Sequence, residues 1–228
     1  MNDVLLGMRL ARERLRGFTP SFVFALSALG AYVFAVIERQ GEAGSAADSA
    51  LEGGVFGLLL PVLAYLLSER VCAASRLDRA VDPLARYGSD RRQALLGVFV
   101  VSALCTALVG GVLAAIALFG ARAVSDSGFA ADLRASVAIG IGVGASYALF
   151  FGAASLFGKR GGGRKWALIL DFVLGAGSSL FAAPFPRGHA RNLLGGAPVL
   201  ELSQGGAGVA LALIGFLCVA LSLIRTPS

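Results

Sequence analysis

Charge is scarce in this chain. Of its 228 residues only 15% are Asp, Glu, Lys or Arg, against 57% hydrophobic, whereas a soluble globular domain carries about 25% charged residues. A solvated single-core protein is therefore excluded. Histidine is almost absent, with His189 alone, and the cysteines number three. That leaves no His and paired-Cys ligand set for a zinc centre, so no metal site is assigned. Cys72, Cys105 and Cys218 lie within or beside apolar stretches, where a thiol serves as a small buried hydrophobe, and no disulfide framework follows. Also missing is the phosphate-cradling order Gly-x-x-x-x-Gly-Lys-Ser/Thr. Gly158-Lys159-Arg160-Gly161-Gly162-Gly163 has glycines and cations in a different order and reads as a flexible turn with interface anchors. Neither a catalytic nor a cofactor-binding residue is assigned.

What the chain does have is apolar length. Its 31 glycines sit inside apolar runs without a collagen period, which excludes a fibrous or low-complexity chain. Six apolar segments are near bilayer length: 18–37, 51–67, 94–121, 135–158, 166–185 and 205–224. The first holds ten Leu, Ile, Val or Phe residues, worth roughly −3 to −6 kcal/mol on the insertion scale. In the second, the helix is expected to run past Ser68, Glu69 and Arg70 to Ala74, with the charges at the interface. The predicted fold is all-α, an integral membrane bundle of six transmembrane helices (18–228) preceded by an N-terminal amphipathic interfacial helix (1–17). Six such spans leave no room for a soluble catalytic domain.

The basic excess, +6 with a sequence pI near 9.8, reads as loop topology and contact with membrane lipid; no nucleic-acid partner is expected. Fifteen Lys and Arg fall on the side holding both termini, the loop 68–93 and the loop 159–165. The five on the other side, Arg39, Arg122, Arg134, Arg187 and Arg191, share their loops with acids including Glu42, Glu52, Asp126 and Asp132. The positive-inside rule then places both termini in the cytoplasm. A signal peptide is not expected, since 1–17 has no continuous apolar core. In that segment Val4, Met8, Ala11 and Leu15 share one helical face, and Arg9, Arg12 and Arg16 another. It reads as a surface helix, or as an extension of the first span with basic anchors; Gly17 and Pro20 favour a bend between the two.

The loop 68–93 is the richest in local signals. Asp82 before Pro83 marks a helix start, Leu84 and Tyr87 are spaced to share a face, and Gly88 is suited to the left-handed stop. Ser89 then opens the next helix, carrying Asp90, Arg91 and Arg92 into the third span. A short rigid helix showing Arg79, Arg86 and Tyr87 suits docking on a cytoplasmic protein; a charge-balanced turn that enforces topology is the plainer reading. With its basic amphipathic helix, six spans and the run from Arg79 to Gly97, in which Leu84, Gly88, Arg91, Arg92, Leu95, Leu96 and Gly97 fill the pattern, the chain resembles the permease subunits of ATP-binding cassette (ABC) transporters of the type-two exporter class. It departs from that pattern in lacking the usual Gly-Thr and in placing Pro83 before the Leu-rich turn. The resemblance implies a coupling helix seated in a separate ABC ATPase subunit, with Arg79, Asp82, Arg86, Tyr87, Arg91 and Arg92 receiving the stroke. It implies also that ATP and Mg are bound by that partner, with no cofactor in this chain, and that two permeases, as a homodimer, line the path in a bacterial cytoplasmic (inner) membrane.

Between the last two spans, 183–206 carries Pro184, Pro186, Pro198, Gly195 and Gly196 around short apolar pieces. It reads either as the re-entrant external hairpin of that family or as an ordinary loop. In the fourth span Gly140, Gly144 and Gly152 recur with Ser136 and Ala148 at intervals of four, a smooth stripe for close helix packing. Ala167, Asp171 and Gly175 repeat the device in the fifth. An ionised Asp at the bilayer centre costs roughly 2.5–3.5 kcal/mol, so Asp171 is expected to turn into a helix contact. There it either meets interfacial water, Arg164 or Lys165, or serves the substrate path or gate.

Rival functions meet specific obstacles. Gly175-Ala176-Gly177-Ser178-Ser179 superficially resembles the nucleophile segment of rhomboid proteases, but that chemistry needs a base beside the serine and the last span has no histidine. An ATP-independent transporter would be expected to show mid-depth ionisable groups or internal repeats, and Asp171 is slender support. The substrate-binding membrane subunit of an energy-coupling importer also has six spans, but does not need the basic N-terminal helix or the loop at Asp82. The reading adopted is a non-enzymatic ABC permease, an exporter by class.

Overall fold

The computed structural model describes residues 2–40 and 46–227; Glu42 lies outside them. All of its regular structure is helical. Helix α1 (Asp3–Leu15) is followed by α2 (Phe18–Arg39), with Gly17 between them at a φ of 129° that suits glycine. A continuous helix then covers Ala46–Val71: α3 (Ala46–Ser49), a π-helical stretch (Ala50–Leu59) and α4 (Leu60–Val71). The π stretch holds Gly53, Gly54 and Gly57 and leads directly into Pro61. Proline has no N–H to give and crowds the preceding turn. The wider coil accommodates it, with Leu60 N–H donating five residues back to Val55 O. Two four-residue helices, α5 (Leu77–Ala80) and α6 (Asp82–Ala85), precede α7 (Arg91–Ala121) and α8 (Phe129–Ala154). Then come α9 (Gly163–Leu174), α10 (Pro186–Leu193) and α11 (Gln204–Arg225).

Among the described residues, five helices are long and apolar enough to cross a membrane: Thr19–Arg39, Ala46–Val71, Arg91–Ala121, Phe129–Ala154 and Gln204–Arg225. The chain is thus an all-α protein with the character of an integral membrane protein. The sixth expected span does not form as one long helix. From the fifth apolar segment only α9 forms, and its 12 residues reach about 18 Å, short of the roughly 30 Å hydrocarbon layer. The run Gly175-Ala176-Gly177-Ser178-Ser179 is poor in helix formers. A Cβ at Gly175 would also stand 3.1 Å from the Cβ atoms of both Phe185 and Arg187, which fold back onto it.

Both termini lie at one end of the bundle, where Asp90 N–H donates to Asp3 Oδ2 (2.8 Å) and Arg92 Nε donates to Thr226 O (3.1 Å). The centre is the α7–α8 pair. There Gly140 faces Gly110, so closely that a Cβ on Gly140 would stand 2.5 Å from Gly110 O, while Gly144 faces Thr106 and Gly152 faces the Phe99 ring. Small residues bring the backbones together where lipid supplies no hydrophobic drive. Gly140→Leu is expected to separate these helices and destabilise the fold by about 3 kcal/mol or more, because backbone cannot rotate away as a side chain would; thermal unfolding in detergent measures it. Helix α1 packs on α7 in the same manner, Gly7 against Ala94 and Gly97 against Val4 and Met8. The apolar stripe of α1 therefore lies on protein, with Ala11 wholly buried.

Candidate functional site

At the end holding the termini, α4 stops at Val71, three residues earlier than the expected Ala74. Ala73 and Ala74 turn left-handed, with φ of 49° and 51°. Such a conformation is unfavourable for alanine, and the surrounding bonds hold it: Ala73 N–H donates to Arg70 O and Ala74 N–H to Glu69 O, both at 3.0 Å. The main brace is Arg14. From α1 its guanidinium donates to Val71 O (2.7 Å) and to Ala80 O (2.8 Å), tying the last turn of α4 to the end of α5. These are carbonyls left orphaned by helix ends, and a cation there is favourable. Burial lowers the Arg14 pKa from its ordinary value, yet an arginine stays charged at neutral pH. Arg70 Nε returns a bond to Arg14 O (3.1 Å). Arg164, 2% exposed, donates to Ser68 O (3.2 Å).

On this frame sit the six residues of the loop. Asp82 does not cap α6, whose N-cap is Val81 in a helical conformation with no side-chain bond. Its carboxylate pairs instead with Arg91 across the loop (3.1 Å). The cap of α7 is Asp90, accepting from Gln93 N–H (2.8 Å), one residue beyond the expected Ser89. Gly88 is left-handed at φ 84°. Leu84 packs toward the buried cluster of Val71, Leu77, Val81 and Leu95, whereas Tyr87 stands 91% exposed, so these two do not share a buried face. Arg79 and Arg86 are exposed and in no ion pair among the described residues, and Arg92 is held by Thr226 O. The structure thus gathers Asp82 and Arg91, ties Arg92 to the C-terminus, and leaves Arg79, Arg86 and Tyr87 free. No family model matches the chain, and no curated protein matches it.

Arg14 was missed in the sequence although a signal existed. It falls three residues after Ala11 and seven after Gly7, the two buried positions of α1, so the helical period already puts it beside the buried face rather than with Arg9, Arg12 and Arg16.

The second polar cluster surrounds Asp171, which is fully buried. Its partners are neither Arg164 nor Lys165. Tyr147 Oη of α8 donates to Asp171 Oδ2 (2.9 Å), and Arg187 N–H, in the first turn of α10, donates to Oδ1 (3.3 Å). A carboxylate at a helix start meets free amides and the positive end of the dipole, and this is why the chain turns back here. Arg187 then donates to Phe172 O and lies 4.8 Å over the Phe172 ring. Tyr147 stands seven residues before the end of α8, about 10 Å along the axis, so the start of α10 dips well into the bundle. Segment 183–206 packs into the bundle: His189 and Asn192 are buried within it, with His189 Nε2 2.8 Å from Ala183 O and Asn192 Nδ2 donating to Leu202 O. Glu52, tallied with the loop charges but within the expected span 51–67, lies inside the π stretch and borders a cavity of about 120 Å³ with Arg187 and Arg191.

Proposed function

We propose that this chain is the permease subunit of an ABC transporter of the exporter class, moving its substrate with ATP hydrolysed by a separate subunit. The observation that carries the reading is the braced loop. Two short helices stand between α4 and α7, fastened by Arg14 and by the Asp82–Arg91 pair, and they present Tyr87 at 91% exposure with Arg79 and Arg86 beside it. A rigid protrusion with an aromatic anchor and unpaired cations has the composition of a docking hot spot. A flexible turn would dissipate a push from a partner; a braced one passes it to both helices. In this reading both termini face the cytoplasm, α1 lies along the membrane surface, and a second copy completes the path against the apolar outer faces of α2 and α11. The broken α9–α10 segment completes the sixth crossing, with Asp171 holding its two pieces together.

Isolated from its native membrane in mild detergent, the full chain is expected to carry an ATP-hydrolysing subunit. Arg86→Glu and Tyr87→Ala are each expected to lower the co-isolated ATPase activity by roughly tenfold or more, the effect of losing an interface hot spot, with membrane insertion unchanged. Isolation with no ATP-hydrolysing companion, or full activity in both variants, would overturn the proposal.

A further inference from the structure

A cleft of about 830 Å³ opens on the side of the bundle between α1, the start of α2, the end of α4 and the middle of α7. That volume is in the range of small-molecule sites, about 300–1,000 Å³. Its floor is apolar, made by Leu63, Leu66, Cys105 and Leu108. Leu108 is 66% exposed, so the cleft opens sideways, toward the surroundings of the spanning helices. Its rim is charged: Glu13, Arg14, Glu69 and Arg70. Three of the four are already engaged, Arg14 with the carbonyls of Val71 and Ala80, Glu13 with Arg16, and Glu69 as acceptor of the Tyr65 hydroxyl, which leaves its carboxylate room for a second donor. Arg70 uses only Nε, toward Arg14 O, and neither it nor Glu69 is in an ion pair among the described residues.

An occupant must therefore be apolar along the helices and polar at their ends, with one negative and one positive group to meet a neighbouring guanidinium and carboxylate. We infer that the cleft binds a phosphoethanolamine phospholipid of the surrounding bilayer, its phosphate at Arg70, its ammonium at Glu69 and an acyl chain along Leu66 and Leu108. A guanidinium forks onto phosphate oxygens, and a primary ammonium has N–H donors for a carboxylate, which a quaternary ammonium lacks. The inference needs only the membrane setting of the five apolar helices and is independent of any ATPase partner.

Trp166 is the only tryptophan and lies outside the cleft. In a Trp166→Phe, Leu66→Trp chain reconstituted in bilayers, quenching by chain-brominated lipids reports occupancy. Brominated phosphoethanolamine lipid is expected to compete better than phosphocholine or phosphoglycerol lipid by roughly two- to fivefold, the ratio an exposed charge pair supplies. The preference is expected to vanish on adding Arg70→Gln or Glu69→Gln. A control with tryptophan at the exposed Val173 instead should show no headgroup preference, which separates site binding from bulk lipid contact without relying on the charge variants to fold. Equal quenching by all three headgroups, a preference for the anionic phosphoglycerol, or a tryptophan shielded from every lipid by a second copy would each overturn the inference.

Discussion

Replacing Arg14 with alanine is expected to release the loop 72–90 and to lower the stability of the whole chain. The side chain makes two hydrogen bonds to helix-end carbonyls, at 2.7 and 2.8 Å. A bond from a charged donor is worth about 1.5–3 kcal/mol, and partial exposure of the guanidinium reduces the sum to about 2–4 kcal/mol. Thermal unfolding in detergent measures that loss. Amide hydrogen exchange should accelerate first between residues 72 and 90, because the ends of α4 and α5 lose their common tie. Arg14→Lys is expected to recover only part, since one ammonium cannot reproduce a planar fork spanning two carbonyls. Unchanged exchange in the alanine variant would show that the left-handed turn at Ala73 and Ala74 holds the loop without it.

Removing the carboxylate of Asp171 should have the other large effect. Asp171→Ala leaves one buried and one half-buried donor, Tyr147 Oη–H and Arg187 N–H, without that acceptor. At about 1–3 kcal/mol for each stranded group the loss is about 2–6 kcal/mol. The expected order is Ala most destabilised, then Asn, which retains one acceptor oxygen, then Tyr147→Phe, which keeps the ring stacked on Phe151. Limited proteolysis should find new cleavage in the stretch 175–203 of the alanine variant, because α10 loses its anchor inside the bundle. If the alanine variant unfolds and is cleaved like the parent, Asp171 is not what seats the hairpin.

The legible features share one property: their signal is local. Apolar runs of bilayer length, the bend at Gly17, the stop at Gly88 and the small-residue stripe through Gly140, Gly144 and Gly152 are each set by side-chain size, backbone freedom or hydropathy over a few turns. All but the fifth apolar run appear in the structure near their expected positions. The break in the fifth apolar segment is not legible because hydropathy over 166–185 registers the apolar residues and is blind to the turn at Gly175, where Phe185 and Arg187 fold back. Asp82 read as a cap from its place before Pro83, but Arg91, nine residues on, is the stronger partner for its charge. Glu52 counts with the loop charges although it is the second residue of the expected span 51–67, and it lies in the widened helix Ala50–Leu59.

Composition and periodicity alone therefore specify a helical membrane chain, most of its spans and the place of its charged loop, since burial in lipid leaves helices as the solution for each apolar run. Distant contacts settle the rest. Arg14 joins α1 to the ends of α4 and α5, and Asp171 joins α9 to α8 and the start of α10. Each is a single polar group whose partner lies 16 or more residues away. Satisfying a buried hydrogen bond is a condition on three-dimensional proximity, and no window along the chain contains it.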